Sequence, residues 1–151
     1  MKAVLFVCLG SICRSPAMTA IFNKKAEKLS QKIEAKNRAV AHWSLGYPPF
    51  PKMVEICAKK GYVIDSTLHS ELIRHDDFEY YDLVLAADRS VKERLYGFAP
   101  ENHRKKVKLL TSYSEKFHDQ DIPDPYEKGD QAFELAITMI EDSIDGLLKQ
   151  L

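Results

Sequence analysis

Two cysteines, an arginine and a serine lie close together near the N-terminus, in the segment VCLGSICRSP, residues 7–16. A thiolate is a strong nucleophile, and a position at a helix N-terminus beside an arginine favours the ionised form of a cysteine. The planar guanidinium of Arg14 can grip two oxygens of a phosphoryl group. The hydroxyl of Ser15 can donate a hydrogen bond to a thiolate. The segment therefore indicates nucleophilic attack by Cys8 on a tetrahedral phosphorus oxyanion.

The elements on either side of this segment would hold it in place. The run from Lys2 to Cys8 is almost continuously apolar, which predicts a central strand of a parallel sheet. Ser15 followed by Pro16 predicts the start of a helix that continues to about Lys32. Ligands bind at the carboxyl ends of such strands, and turn N–H groups together with a helix N-terminus form a site for anions. The predicted cradle consists of Leu9, Gly10, Ser11, Ile12, Cys13 and Ser15.

The rest of the chain alternates between strand and helix patterns. The pattern predicts strands at about Arg38–His42, Leu83–Ala87 and Lys106–Leu110, helices at about Lys52–Lys60 and Ser90–Tyr96, and irregular segments at Trp43–Pro51 and Thr111–Lys128. The last helix carries apolar residues at spacings of four and three, namely Phe133, Ile137, Ile140, Ile144 and Leu147. We therefore predict an α/β doubly wound fold, with a mostly parallel four-stranded sheet and helices on both faces.

The length and composition of the chain limit the classes of function that it can have. The 151 residues, 45% of them apolar, predict one domain over residues 1–151. Equal numbers of basic and acidic residues, 22 each, argue against binding to nucleic acid or to an anionic membrane surface. No stretch approaches the roughly 20 apolar residues of a membrane span. Three cysteines without the spacing of a disulfide scaffold or a zinc site suit the reducing cytoplasm and indicate no metal or other cofactor.

The segment CLGSICRSP resembles the signature of the low-molecular-weight protein tyrosine phosphatases: cysteine, five residues, arginine and serine, directly after the first strand. The resemblance covers nearly the whole chain, including VAHWSLGYPPFPKM, YDLVLAAD and VKLLTSY. It implies hydrolysis of phosphotyrosine in proteins and of small aryl phosphates, with Cys8 as nucleophile, Arg14 as phosphate ligand and inorganic phosphate as product. We expect a monomer or a weak dimer.

The departing oxygen of a phosphate ester needs a proton, and a general acid is worth about 10²–10⁴ in rate. The resemblance places this acid at Asp124, in the DPY segment on the predicted long loop. The same carboxyl group would then accept a proton from the water that hydrolyses the cysteinyl phosphate. Asp121 lies three residues earlier but is not followed by Pro-Tyr, so we interpret it as a surface charge.

Other positions take their expected roles from the same resemblance. Trp43 and Tyr126 match aromatic residues that line the entrance to the active site in the family, with ordinary packing as the alternative. Cys13 matches a second thiol that can trap oxidised Cys8 as a disulfide, with a buried apolar filler as the alternative. Asp88 is interpreted as structural, and His69 as a surface residue.

At Ser11 the chain departs from the family, which usually has an asparagine suited to the left-handed backbone of this loop. In the family that asparagine is tied to a serine after the second strand, and Asn37 falls at that position here. We expect Ser11 and Asn37 to form the same hydrogen bond with the two residue types exchanged; two unrelated surface residues are the alternative.

Four other functions use a similar loop. An arsenate reductase needs further cysteines, which are absent around Ala86 to Arg89. A phosphocysteine carrier of sugar transport would not need both Arg14 and Asp124, and a silent phosphate-binding module would need neither the nucleophile nor the acid. Phosphoarginine phosphatases of this fold carry threonine at the position of Ile12, so isoleucine favours phosphotyrosine.

Overall fold

The computed structural model describes residues 1–151 and contains a four-stranded parallel sheet. The strands are β1 (Ala3–Cys8), β2 (Glu34–Ala39), β3 (Leu83–Ala86) and β4 (Val107–Leu109), and the α-helices are α1 (Arg14–Lys25), α2 (Pro51–Lys59), α3 (His75–Tyr80), α4 (Arg89–Phe98) and α5 (Asp130–Leu148). Short 3₁₀ segments span Ala26–Lys28, Glu101–Lys106 and Leu110–Tyr113. The strand order is β2-β1-β3-β4.

β1 is a central strand, with β2 on one side and β3 on the other. All six of its residues are buried, because both faces of the sheet are covered. Cys8 is the last residue of the strand and pairs with Ala39 of β2, while Val7 pairs with Ala86 of β3. The register therefore brings the carboxyl ends of three strands to the same edge and sets Cys8 there.

Alternate side chains of β1 enter two separate cores. Val4 and Phe6 belong to the larger core, which includes the buried faces of α1, α2 and α5. Leu5 and Val7 belong to the smaller core, with Phe78 of α3 and the buried residues of α4. The predicted apolar face of the last helix is confirmed, since all five of its residues are buried. The predicted doubly wound fold is confirmed, with helices on both faces of the sheet.

The boundaries of the first helix differ from the prediction. α1 begins at Arg14 with Cys13 at the N-cap position, so Ser15 is not the cap. The helix ends at Lys25 and continues as a single 3₁₀ turn, well before Lys32. Its side chains are buried only as far as Phe22, because the polar residues that follow offer no face to pack on the sheet.

Two other elements were placed wrongly or missed. β2 begins at Glu34, four residues before the predicted strand, because this edge strand, EAKNRA, is polar and its position depends on pairing with β1. α3 was not predicted, since its six residues contain only one buried apolar side chain, Phe78. The remaining strands, α2 and α4 lie within about two residues of the prediction.

None of the helices is both long enough and apolar enough to span a membrane.

Candidate active site

The residues between β1 and the first turn of α1 form a tight loop, residues 8–15, which we call the phosphate loop. The carbonyl groups of Leu9, Gly10 and Ile12 point outward into the surrounding structure. The carbonyl oxygen of Leu9 accepts hydrogen bonds from the N–H groups of Val40 and Ala41, at 3.2 and 2.9 Å. The carbonyl oxygen of Ile12 accepts one from the N–H of Phe50, at 2.8 Å. These contacts fix the orientation of the peptide units in the loop.

Gly10 is held from two separate segments. Its carbonyl oxygen accepts hydrogen bonds from the hydroxyl of Ser44, at 2.6 Å, and from that of Ser70, at 2.7 Å. A Cβ atom at Gly10 would lie 2.5 Å from Ser44 Oγ and 2.9 Å from the Trp43 ring, closer than such atoms approach. Glycine is therefore required here for a close approach between the loop and residues 43–44.

With the carbonyl groups turned outward, N–H groups converge on the cysteine. The N–H groups of Ser11 and Ser15 point at Cys8 Sγ, at 3.2 and 3.4 Å. The N–H groups of Ile12, Cys13 and Arg14 have no backbone acceptor. Such a ring of donors at the N-terminus of α1 is suited to the oxygens of a phosphate group. The structure places the residues of the predicted cradle in one loop around Cys8.

Ser11 has a left-handed backbone, with φ of +55°. Asn37 Nδ2 donates a hydrogen bond to Ser11 Oγ at 2.7 Å, so the expected contact between these side chains is confirmed. Ser11 Oγ is 2.8 Å from Ser15 Oγ, which lies 3.2 Å from Cys8 Sγ. Thr19 adds a hydrogen bond from its hydroxyl to the carbonyl oxygen of Ser15, at 2.9 Å. A chain of side-chain contacts thus runs from β2 to the thiol.

Arg14 is buried, with 2% of its surface exposed, and connects two parts of the site. Its Nη1 donates to Asp88 Oδ2 and to the carbonyl oxygen of Ile122, both at 2.7 Å. Burial opposes the positive charge, but Cys8, Asp88 and Asp124 outweigh it and raise the pKa of the guanidinium. Asp88 also caps α4, because its Oδ1 accepts from the N–H of Val91. Its structural role therefore includes orienting Arg14.

Asp124 lies on the segment of residues 121–126, which we call the acid loop. Its Oδ2 is 3.8 Å from Arg14 Nη2, and its Oδ1 accepts from the N–H of Tyr126 at 3.1 Å. The side chain is 34% exposed, so it is open to both solvent and the phosphate loop. The structure therefore brings together the three residues predicted to be catalytic.

The acid loop is anchored at its beginning as well. The N–H of Ile122 donates to the carbonyl oxygen of Ala87, at 3.0 Å, at the end of β3. Asp121 Oδ1 accepts from the N–H of Arg89, at 2.9 Å, in the first turn of α4. Asp121 is exposed and turned toward α4, which agrees with a surface charge.

The two predicted rim residues contact each other. The ring centroids of Trp43 and Tyr126 are 5.4 Å apart, and Tyr126 packs edge-on against Phe50 at 4.9 Å. Phe50 in turn stacks on Phe133 of α5. Trp43 is 45% exposed, so it is not a core residue. The aromatic pair lies beside the phosphate loop because Trp43 contacts Gly10.

All three cysteines are free and buried. Burial, followed by the charges of Asp124 and Cys8, raises the pKa of the Cys13 thiol. Burial also raises the pKa of Cys57 to about 12. Cys57 lies in α2 within the larger core, as expected for a packing residue.

Sequence reasoning missed the two serines that hold Gly10 and the packing of Phe50 behind Tyr126. Ser44 and Ser70 carry no motif of their own, and their function depends on loops that meet only in the folded chain. His69, next to Ser70, is exposed, as expected for a surface residue.

Two large surface clefts lie away from this loop. One, of about 440 Å³, is lined mainly by charged residues of both signs around β2 and α3. The other, of about 530 Å³, lies beside α4. No residue of the phosphate loop lines either cleft, and neither contains a cysteine. The two clefts are therefore separate from the phosphate loop.

The sheet and the loop define an α/β protein with an oxyanion-binding loop after its first strand. The model of the low molecular weight phosphotyrosine protein phosphatase family matches residues 3–151, and the chain belongs to this family. It is therefore an enzyme, a hydrolase of the protein-tyrosine-phosphatase class.

Relatives and solved structures agree with this assignment. The low molecular weight protein-tyrosine-phosphatase YfkJ of Bacillus subtilis is 35% identical over 150 residues, covering 98% of this chain and 94% of its own. The low molecular weight phosphotyrosine protein phosphatase of Sus scrofa is 36% identical over 137 residues, covering 88% and 85%. A crystal structure of a protein tyrosine phosphatase from Entamoeba histolytica superposes with a TM-score of 0.94 at 27% identity, covering 99% and 96%.

A further structural neighbour is named for a different activity. A structure of the YwlE arginine phosphatase from Bacillus subtilis is similar at a TM-score of 0.86 and 26% identity, covering 99% of this chain and 95% of that one. It is a cysteine-to-serine variant with a phosphorylated active-site serine.

The contact between Asn37 and Ser11 predicts coupled effects on phosphate binding. We expect Ser11→Ala and Asn37→Ala each to raise the dissociation constant of inorganic phosphate, because each leaves the strained backbone at residue 11 without its support. A double-mutant cycle should give a coupling energy of about 0.5 kcal/mol or more. Lys36→Ala, an exposed change at the preceding position of β2, is the control and should bind phosphate normally. Additive effects of the two substitutions would show that the contact does not shape the loop.

Proposed function

We propose that the enzyme hydrolyses phosphotyrosine in proteins through a phosphate ester of Cys8. The observation that carries this proposal is the convergence of the Ser11 and Ser15 N–H groups on Cys8 Sγ, beside the guanidinium of Arg14. Donors directed at a sulfur atom stabilise its anion and, in the transition state, the oxygens of a transferring phosphoryl group. The free, buried thiols also suit a reducing compartment such as the cytoplasm.

In the first step the Cys8 thiolate attacks phosphorus on the side opposite the tyrosyl oxygen. The sulfur–phosphorus bond forms as the bond from phosphorus to the tyrosyl oxygen breaks. Asp124 donates its proton to the departing oxygen, so tyrosine leaves as a neutral phenol.

In the second step water attacks phosphorus and Asp124, now a carboxylate, accepts a proton from it. The sulfur–phosphorus bond breaks, which returns the Cys8 thiolate and releases inorganic phosphate. The exposed third of the Asp124 side chain gives water access to the carboxylate. One carboxyl group therefore serves as acid and then as base.

Phosphoarginine is the second candidate substrate, since one of the similar structures is that of an arginine phosphatase. Two features of this chain favour phosphotyrosine instead. Ile12 is apolar and almost fully buried, so it offers no hydrogen bond to a guanidinium group. Trp43 and Tyr126 present aromatic surface at the rim, where it can pack against the ring of a tyrosine.

Arsenate reduction and phosphoryl transfer to another protein are less well supported. A reductase must pass a disulfide from the loop to the surface, but the third cysteine, Cys57, lies fully buried in α2. A carrier must protect its phosphocysteine from water, but Asp124 lies beside the loop and is partly exposed.

The test of this proposal is the identity of the phosphorylated residue. During turnover of an aryl phosphate, rapid denaturation and peptide mapping should find phosphate on Cys8. Cys8→Ser should lower turnover by about 10³-fold or more, because a serine hydroxyl is not ionised by the loop. Cys57→Ala is the matched control and should keep its activity. If Cys8→Ser retains more than a trace of turnover while folding normally, Cys8 is not the nucleophile.

Asp124→Asn should show the signature of a missing general acid. The kcat/KM of phenyl phosphate, with a poor leaving group, should fall by about 10²–10⁴, while that of a nitrophenyl phosphate should fall much less, because kcat/KM reports only the first step. Asp121→Asn keeps an oxygen that can accept from Arg89 and should leave both substrates unaffected. An equal loss of kcat/KM on both substrates for Asp124→Asn would show that the carboxyl group does not protonate the leaving oxygen.

We further propose that Cys13 protects Cys8 from irreversible oxidation. Peroxide converts the Cys8 thiolate to a sulfenic acid, and the Cys13 thiol then displaces water to form a disulfide. The raised pKa of Cys13 keeps it a thiol, so Cys8 is oxidised first.

Reversible inactivation by mild peroxide checks this role. Peptide mapping should show a Cys8–Cys13 disulfide, reducing agent should restore activity, and Cys13→Ala should lose activity permanently under the same treatment. Equal recovery of Cys13→Ala and the unmodified enzyme would contradict the protective role.

A further inference from the structure

Tyr47 is an exposed aromatic residue that the mechanism does not use. Its side chain is 51% exposed, and its ring lies edge-on to Trp43 with 6.3 Å between centroids and an angle of 87°. Trp43 in turn packs on Tyr126. The three rings therefore form a row that starts at the acid loop, passes the phosphate loop and ends at Tyr47.

The backbone beneath Tyr47 is held firmly. Its N–H donates to the carbonyl oxygen of Ser44, at 3.0 Å, and its carbonyl oxygen accepts from the N–H of Ser70, at 2.8 Å. The N–H of Gly46 donates to the carbonyl oxygen of Ser70, at 2.9 Å. Ser44 and Ser70 are the two residues that hold Gly10. Tyr47 is thus positioned by the same contacts that position the phosphate loop.

The chain segment that carries Tyr47 is mostly apolar and contains no charged residue. Residues 42–51, HWSLGYPPFP, contain no lysine, arginine, aspartate or glutamate. Leu45, on the same segment, is also exposed. A surface of this kind favours contact with apolar side chains and offers no partner to a charged one.

We propose that Tyr47 forms a subsite for an apolar side chain two residues away from the phosphotyrosine in the substrate protein. Side chains two residues apart in an extended peptide lie on the same face, about 7 Å from each other. The distance of 6.3 Å between the ring centroids of Trp43 and Tyr47 is close to this spacing. When the phosphotyrosine ring packs beside Trp43, the side chain two positions away lies over Tyr47. This inference rests on the proposed phosphotyrosine phosphatase function and adds its preferred substrate class.

The test uses phosphotyrosyl peptides that carry leucine, serine or aspartate two residues before or two residues after the phosphotyrosine. We expect the enzyme to prefer leucine over serine at one of these positions by about three- to tenfold in kcat/KM. Tyr47→Ala should remove this preference, with the change mainly in KM, and should leave turnover of a nitrophenyl phosphate unchanged. Tyr47→Phe should keep the preference, because the ring makes the contact.

Tyr80→Ala is the matched control. Tyr80 is 62% exposed and ends α3, just before β3 begins, so it lies at the opposite end of the sheet from Cys8. This variant should discriminate as the unmodified enzyme does. Equal discrimination by Tyr47→Ala and the unmodified enzyme would overturn the subsite, as would a change in oligomeric state without a change in selectivity. Failure to hydrolyse any phosphotyrosyl peptide would instead contradict the proposed function.

Discussion

The orientation of three peptide units in the phosphate loop is the constraint on which the site depends. The carbonyl oxygens of Leu9, Gly10 and Ile12 are all bonded to the chain between residues 40 and 70. If one of these units flipped, it would turn a carbonyl oxygen toward the anion and remove an N–H donor. Each hydrogen bond contributes only about 0.5–1.5 kcal/mol to stability, so several are needed to hold the loop in one orientation. The segment after β2 is therefore part of the active site although it carries no catalytic group.

The loop also stores strain that neighbouring side chains offset. A non-glycine residue in the left-handed region costs about 1–2 kcal/mol, and Ser11 adopts this conformation. The hydrogen bond from Asn37 reaches Ser11 from β2, which pairs with β1 in register. Ser11 then contacts Ser15, and Ser15 contacts the thiol. The pairing of β2 with β1 thus places Asn37 where it can support Ser11 and, through Ser15, the Cys8 thiol.

The features that could be predicted from the sequence are those whose pattern lies within a few neighbouring residues. The spacing of Cys8, Arg14 and Ser15 identified the loop, and buried apolar runs located β1 and β3, because both patterns are read within a few residues. β2 could not be placed, since its polar sequence is aligned by pairing rather than by an apolar pattern. Ser44 and Ser70 were missed for a related reason: each becomes functional only when distant segments meet at Gly10.

Arg14 connects the phosphate loop to the acid loop and still has N–H groups that are free to bind a substrate. Its Nη1 is occupied by Asp88 and by the carbonyl oxygen of Ile122, which ties the guanidinium to the end of β3 and to the acid loop. Nη2 makes only the 3.8 Å contact with Asp124. Since a guanidinium has five N–H groups, Nη2 and Nε remain as a pair for two phosphate oxygens. The contacts that orient Arg14 therefore also hold Asp124 at a fixed distance from it, so that the proposed acid and the proposed phosphate ligand are positioned as one unit.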